Sequence, residues 1–202
     1  MFSMTKINFE EFLEGFKLGR LWYDMEKTVE GSKWHKEPNV SCHTQMLIDW
    51  YYNNLFDLRT EHQRMLTLVA STFHDVGKPR AMIMKFSEER GHYKAFHGHE
   101  QISARLWIDY AYSNPEIVKD LLNLGIHDVH NIAQMIEYHL PFELKNKEKR
   151  KALKTSFLNR CGAANHQAWL DFILSDQNGR IAEDQVTKLA KVDVWIKEWE
   201  TV

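Results

Sequence analysis

The chain has 202 residues and is nearly neutral, with 26 lysines and arginines against 28 aspartates and glutamates. Hydrophobic residues make up 44% of it and charged residues 27%, which excludes a disordered chain, a collagen-like repeat and a disulfide-dense scaffold. This length supports one domain with a short extension, and a net charge of -2 provides no overall basic field for holding a long nucleic acid.

The fold is predicted to be mostly helical, because only four prolines and nine glycines interrupt the chain. Apolar residues along 7–18 predict a first helix, and the aromatic-rich stretch 22–34 predicts an irregular arm. We assign residues 1–32 to an N-terminal helical extension packed on the core and residues 33–202 to the main domain. The main domain is expected to begin with a helix over 41–58, with its N-cap at the serine.

The central helix is predicted over residues 61–75, where an apolar run ends at Gly77 and Pro79. A weak alternation over residues 82–96 predicts a short β-hairpin that turns at residues 89–91. Helical patterns then occupy six stretches, 100–112, 115–124, 129–139, 149–159, 165–180 and 183–199. The predicted fold class is therefore all-α, a helical bundle with a small β-hairpin after the central helix.

Two cysteines, Cys42 and Cys161, are too few for a disulfide framework and favour a reducing compartment, so we expect a cytoplasmic protein. The N-terminus has no uninterrupted apolar segment, and no apolar run approaches the length of a membrane span, so we expect neither export nor a membrane partner. Histidine is the anomaly in composition. The chain has 11, and seven of them lie between residues 74 and 139.

The string that carries chemistry is FHDVGKP, residues 73–79, in which His74 and Asp75 adjoin at the end of an apolar helix. Burying an imidazole beside a carboxylate is costly without a partner, and a divalent cation beyond the helix end satisfies both. This ligand chemistry, without a thiolate, suits Mn, Co, Ni, Fe, Zn or Mg. Such an ion makes a bound water reactive and polarises a phosphoryl oxygen. Lys78 follows the turn, where its ammonium either contacts a phosphate or complements the helix dipole.

The string resembles the His-Asp motif of the HD superfamily of metal-dependent phosphohydrolases, whose ligands occur in the order His, His-Asp, Asp. Residues 33–182 resemble more closely the HD domain attached to bacterial CCA-adding enzymes (tRNA nucleotidyltransferases). The shared motifs are HKEPNVSCHT, FHDVGKP, FHGHEQISARLW, IAQMIEYH and SDQNGR. No nucleotidyltransferase head precedes these motifs, so the resemblance does not imply CCA addition.

The resemblance implies metal ligands at four positions: His43, His74, Asp75 and Asp176. His43 lies in the first turn of its predicted helix, where a side chain can point past the helix end. Asp176 is preferred over Asp171 and Asp184, because it lies on an apolar helix with Arg180 one turn later. Arg180 is either a helix ion-pair partner or a second contact for an anion.

Two more histidines lie at predicted helix ends, His99 and His139. Either they complete a six-residue set that resembles the dinuclear HD proteins and holds two ions, or they orient the ligands of one ion and bind phosphate. His130 is a reserve candidate, and the remaining histidines, His35 among them, are expected to have no role in the site.

The activity implied by the resemblance is phosphomonoesterase and/or 2',3'-cyclic phosphodiesterase cleavage of nucleotides or RNA ends by metal-activated water. Asp75, Lys78 and Arg180 are the implied catalytic residues. Other HD proteins act on deoxynucleotides, dinucleoside polyphosphates or cyclic dinucleotides. The alternatives of another class are a di-iron HD oxygenase and a non-catalytic nucleotide sensor. Trp22, Tyr23 and Trp34 either stack a base or pack in the core. The metal, the number of ions, the natural substrate and the oligomeric state stay open.

Overall fold

A computed structural model describes residues 4–31, 35–89, 91–140 and 147–181. Nine α-helices and one two-stranded antiparallel sheet lie within these ranges, which confirms the all-α class with a small hairpin. The helices are α1 (Met4–Lys17), α2 (Arg20–Glu26), α3 (Val40–Asn54), α4 (Glu61–Phe73), α5 (Lys78–Ala81), α6 (His99–Ser113), α7 (Ile126–Glu137), α8 (Lys147–Cys161) and α9 (Ala163–Asn178). None of the helices in these ranges is long and apolar enough to cross a bilayer.

Helix α4 is the central element, and it packs against α1, α3, α6, α7 and α9. A capping box starts it: the Thr60 side chain accepts from the Gln63 backbone N–H, and the Gln63 side chain accepts in return from the Thr60 N–H. From Met65 to Phe73 every residue is buried. The buried stretch continues past the end of α4 through Lys78, so the residues directly after this helix also lie inside the protein.

The N-terminal segment is more regular than predicted. The irregular arm expected over 22–34 is wrong in its first part, because α2 spans Arg20–Glu26. Trp22 is buried there, its ring edge-on to Phe16 and its indole N–H donating to Glu26, so it is not available to stack a base. Trp34 lies outside the described residues. Helix α1 packs on α4, whereas the domain boundary at residue 33 stays a prediction.

Three other predicted boundaries differ from the structure. Helix α3 starts at Val40 because its N-cap is Asn39, whose side chain accepts from the Cys42 N–H, rather than Ser41. It ends at Asn54 and is followed by a 3-10 turn, Phe56–Leu58, instead of continuing to residue 58. The helix predicted over 115–124 contains a π-helical turn, Ile117–Leu121. The helix predicted over 183–199 lies outside the described residues.

The β-hairpin is confirmed, with β1 at Ile83–Ser87 and β2 at Gly91–Ala95. Its register runs from the pair Ile83 and Ala95 to the pair Ser87 and Gly91. The hairpin joins α5 to α6, so it begins five residues after Lys78 and ends four residues before His99.

Two glycines let helices approach closely. A Cβ at Gly77 would lie 2.5 Å from the His99 carbonyl oxygen, and the Gly77 N–H donates to the Ser103 hydroxyl. A Cβ at Gly179 would lie 2.7 Å from the Leu47 backbone nitrogen. The first glycine brings the turn after α4 against the start of α6, and the second brings the end of α9 against α3. Four chain segments therefore meet at one place.

Candidate metal centre

The four residues that the resemblance implies as ligands lie together in the structure. His43 comes from the first turn of α3, His74 and Asp75 from the turn after α4, and Asp176 from the last turn of α9. His43 Nε2 lies 3.0 Å from Asp176 Oδ1, and His74 Nε2 lies 3.0 Å from Asp75 Oδ2. All four residues are only 1% exposed. The ligand atoms of His43, His74 and Asp176 lie within 4.8 Å of one another, close enough to hold one ion.

A second group adjoins the first and contains both of the additional histidines. Asp75, His99 and His139 also place their ligand atoms within 4.8 Å of one another. His99 Nε2 lies 3.1 Å from Asp75 Oδ1, while Asp75 Oδ2 faces His74. The Asp75 carboxylate therefore has one oxygen toward each group, a position from which a carboxylate can bridge two ions.

Three histidines of the centre direct their Nε2 atoms toward the ligand groups. Nδ1 of His74, His99 and His139 donates to the carbonyl three residues earlier, at 2.8, 2.8 and 2.7 Å. A carbonyl only accepts, so Nδ1 carries the proton and a neutral ring has its lone pair on Nε2. Because each histidine ends or begins a helix, this bond turns the ring inward and prepares Nε2 as a metal ligand.

The spacing of these atoms fits a bound divalent ion. Two ligands about 2.1 Å from an ion, at 90° to 110° to each other, lie roughly 3.0 to 3.4 Å apart. The closest approaches across the centre, 3.0, 3.0 and 3.1 Å, match that spacing. Among the described residues, His74 Nε2, Asp75 Oδ1 and His99 Nε2 are buried without a hydrogen bond of normal geometry. Since such atoms are costly unless satisfied, the residues present fit a metal.

Strong charge coupling ties Asp176 and His43 together. Arg180 Nη2 donates to Asp176 Oδ1 at 2.6 Å, so Arg180 is the ion-pair partner one turn later. Burial alone would raise the pKa of Asp176, but Arg180 and His43 hold it well below its usual range. Burial alone would lower the pKa of His43, but Asp176 and Glu37 raise it to about 9. The carboxylate is thus ionised, and without a metal the imidazole holds a proton at neutral pH.

Lys78 is buried and already paired. Its ammonium lies 2.8 Å from Asp75 Oδ2 and 2.7 Å from Glu30 Oε1. Burial would lower its pKa, but these two carboxylates raise it above its ordinary value. Burial would likewise raise the pKa of Asp75, whereas His74 and Lys78 hold it well below its usual range. Lys78 therefore lies beside the ligand groups as predicted, as a fixed positive charge between two carboxylates, and its contact with a phosphate stays a prediction.

Sequence reasoning missed three residues of the centre: Glu30, His35 and Glu37. Glu37 is 4% exposed; its Oε1 lies 3.6 Å from His43 Nδ1 and accepts from the Ile181 N–H, and its Oε2 lies 3.5 Å from His35 Nδ1. His35 was expected to have no role. Burial and the charge of Lys78 lower its pKa to about 4, so its ring is neutral. An acid in the HKEPN string, just before the ligand-bearing helix, is the signal that could have identified Glu37.

Within the part of the chain that the structure describes, the carboxylates of the centre outnumber its fixed cations. The carboxylates of Glu30, Glu37, Asp75 and Asp176 face the two fixed cations of Lys78 and Arg180. Two negative charges remain to be balanced, and burial makes leaving them unbalanced expensive. Protonated histidines balance them without a metal, and a divalent cation does so while leaving the histidines neutral.

The rejected candidates lie elsewhere or outside the described residues. Asp171 is fully buried but paired with Arg59, whose guanidinium donates to both carboxylate oxygens. Asp184 lies outside the described residues. His130 is exposed on α7, 3.5 Å from the Tyr112 hydroxyl, and joins neither ligand group.

Comparison with known proteins identifies no family for this chain. No protein-family model matches the chain, and no curated protein matches it.

Proposed function

We propose that the protein is a metal-dependent phosphohydrolase that cleaves phosphate esters of nucleotides or RNA ends. The observation that carries the proposal is the meeting of His43, His74, Asp75 and Asp176 in one buried cluster with chelating distances. The resemblance of the surrounding motifs to the HD superfamily supports the same reaction. When bound, the metal makes water nucleophilic and draws electron density from the phosphoryl oxygen.

The chain's own residues prepare the site for that chemistry. The backbone carbonyls that accept from Nδ1 of His74, His99 and His139 keep each Nε2 directed at the centre. With one carboxylate oxygen toward each ligand group, Asp75 would either hold two ions or, beside a single ion, steady the attacking water. Lys78 and Arg180 offset two of the four carboxylate charges, so a bound divalent metal would neutralise the remaining two and a phosphate dianion would meet no net negative charge.

The test is hydrolysis with added Mn, Ni, Co or Mg. Suitable substrates are p-nitrophenyl phosphate, nucleoside 2',3'-cyclic phosphates, and nucleoside 3'- and 5'-monophosphates. We expect phosphate or p-nitrophenol release that a chelator abolishes and that Asp75→Asn lowers by more than about 100-fold, since outer-shell partners alone cost up to that much.

Asp109→Asn is the matched control, because Asp109 is a carboxylate with a 61% exposed side chain on α6. Its turnover should equal that of the unaltered chain. Metal content and circular dichroism of Asp75→Asn separate a lost ligand from a lost fold. Full turnover by a folded Asp75→Asn protein contradicts the assigned centre.

A second candidate, the di-iron oxygenase, has one observation in its favour. Two ligand groups lie side by side, and the Asp75 carboxylate of one turns an oxygen toward His74 of the other, an arrangement that suits a pair of adjacent ions. Iron retained through aerobic purification, with oxygen consumption and no phosphate release from any of the esters, would select this function instead.

A further inference from the structure

The β-hairpin carries a concentration of exposed apolar side chains that the fold does not use. Met82, Ile83, Met84 and Phe86 are 44%, 47%, 62% and 64% exposed. Single exposed hydrophobic residues are ordinary, whereas Met84 and Phe86, the two most exposed of these four, lie two positions apart on one strand and share a face, which indicates a binding surface.

The register places an aromatic and cationic set on one face of this hairpin. Met84 pairs with Lys94 and Phe86 pairs with His92, so these four side chains point to the same side. The Phe86 and His92 rings lie 5.2 Å apart. On the other face Lys85 and Tyr93 are half-buried and Ala95 is buried, with Ile83 exposed at the base, so the Phe86 face is the side turned more toward solvent.

The base of the hairpin is continuous with the metal centre. Phe96 directly follows β2; its carbonyl accepts from His99 Nδ1 at 2.8 Å, and its ring lies 6.0 Å from Lys78 Nζ. The Lys94 ammonium donates to the Val29 carbonyl at 2.6 Å, one residue before Glu30, which pairs with Lys78. Phe86 lies three register positions from the base, roughly 10 Å at 3.3 Å per residue.

Charge at the base of this face suits an anionic occupant. Lys94 lies toward the base on the Phe86 face and Arg80 lies just before the hairpin, while Glu88 and Glu89 lie at its far turn. Aromatic rings interleaved with cations suit single-stranded nucleic acid, whose bases stack while its phosphates meet the cations.

We propose that the Phe86 face of the hairpin binds a nucleobase of an RNA strand whose terminal phosphate occupies the metal centre. This inference rests on the proposed function and deepens it, because it makes an RNA end rather than a free mononucleotide the preferred substrate.

Binding is measured without divalent metal, so that hydrolysis plays no part. The probe is a short fluorescein-labelled oligoribonucleotide with a 3'-phosphate, titrated with the full chain by fluorescence anisotropy. Phe86→Ala should raise the Kd about 5- to 150-fold, the range for loss of one stacked base. Phe86→Tyr should restore binding. Phe86 is 64% exposed, so its removal leaves the core intact.

Tyr112→Ala is the matched control. Tyr112 is an aromatic residue that is 57% exposed near the far end of α6, thirteen residues or roughly 20 Å from His99. The Tyr112→Ala protein should bind the probe with the same Kd as the unaltered chain. A further arm compares hydrolysis: Phe86→Ala should raise KM for the oligonucleotide and leave kcat/KM for p-nitrophenyl phosphate unchanged.

Two results overturn the inference: no binding of the probe by the unaltered chain, and equal binding by the unaltered chain and Phe86→Ala. If Phe86→Ala also turns a dimer into a monomer in sedimentation while probe binding stays equal, the face belongs to a second copy. Failure of the proposed function has a different signature, namely no hydrolysis of either ester by the unaltered chain.

Discussion

Two buried regions meet at the end of α4, and they differ in chemistry: one is aromatic and the other is charged. On one side, four aromatic rings pack against one another with centroids 4.7 to 6.4 Å apart: those of Phe12, Phe16, Phe73 and Tyr110. On the other side, starting at the next residue, His74, an equally buried cluster contains carboxylates and imidazoles with unsatisfied atoms.

The difference shows what each region needs. Apolar side chains are stabilised by leaving water, and this region requires nothing from outside the chain. Buried ionised groups are stabilised only by partners, and the centre lacks enough of them within the described residues. The aromatic region therefore stabilises the fold around a candidate ion site whose own polar atoms are not all paired.

The largest effect should come from breaking the aromatic region. Phe12, on α1, is 2% exposed and contacts rings on α1, α4 and α6. We expect Phe12→Ala to lower the free energy of unfolding by about 3 to 5 kcal/mol because it leaves a cavity. Metal affinity of the folded fraction should not change, because Phe12 touches no ligand.

Denaturant unfolding measures this effect, with Leu18→Ala as the control. Leu18 lies just after α1 and is 92% exposed, so its loss should cost less than about 0.5 kcal/mol. Equal stability of the two variants would mean that α1 is a dispensable extension rather than part of the core.

A smaller effect should come from Glu37, which joins the two ligand-bearing segments by contacting His43 and accepting from the Ile181 N–H. Glu37→Gln keeps an amide oxygen for that N–H but removes the negative charge that orients the imidazole. We expect 10- to 100-fold weaker Mn or Co binding, as for other outer-shell partners of metal-bound histidines.

Titration calorimetry of the metal checks this expectation, and the absorption spectrum of the Co-loaded protein reports the ligand geometry independently of activity. Glu11→Gln, at an exposed position on α1, is the control and should bind like the unaltered chain. If both variants bind metal equally well, Glu37 has only a packing role.

The smallest effect is the change in metal affinity over one pH unit. Carboxylates raise the pKa of His43 to about 9 against the effect of burial, so below that pH an incoming metal must displace a proton. Metal affinity should therefore rise with pH, by up to about tenfold per unit from this group, between about pH 6 and 9. Asp75 raises the pKa of His99 against the effect of burial, and this adds to the same trend.

Calorimetry in buffers of different ionisation enthalpy counts the protons released on binding. A metal affinity that is constant or falls over this pH range would mean that the imidazole is already neutral in the metal-free protein, and the charge balance described for the centre would be wrong.

Local patterns predicted much of the fold. The helical periodicity and the position of the hairpin follow from neighbouring residues, and the structure has both. The irregular arm was wrong because α2 is short and aromatic-rich, and its tryptophan is buried by packing on α1 rather than by any pattern of its own. Asn39, rather than Ser41, caps α3, because the Asn39 backbone is extended and its side chain accepts from the Cys42 N–H.

The centre shows the same limit more sharply. The sequence by itself determined the residue types that can bind a metal, because the adjacent His74 and Asp75 and their motifs are local features. Tertiary structure alone decided that His43 and Asp176, 133 residues apart, lie 3.0 Å from each other, and that Glu30, His35 and Glu37 join them. These contacts depend on how α3 and α9 pack. That packing is set by contacts among side chains from many distant parts of the sequence, so no single stretch of sequence predicts it.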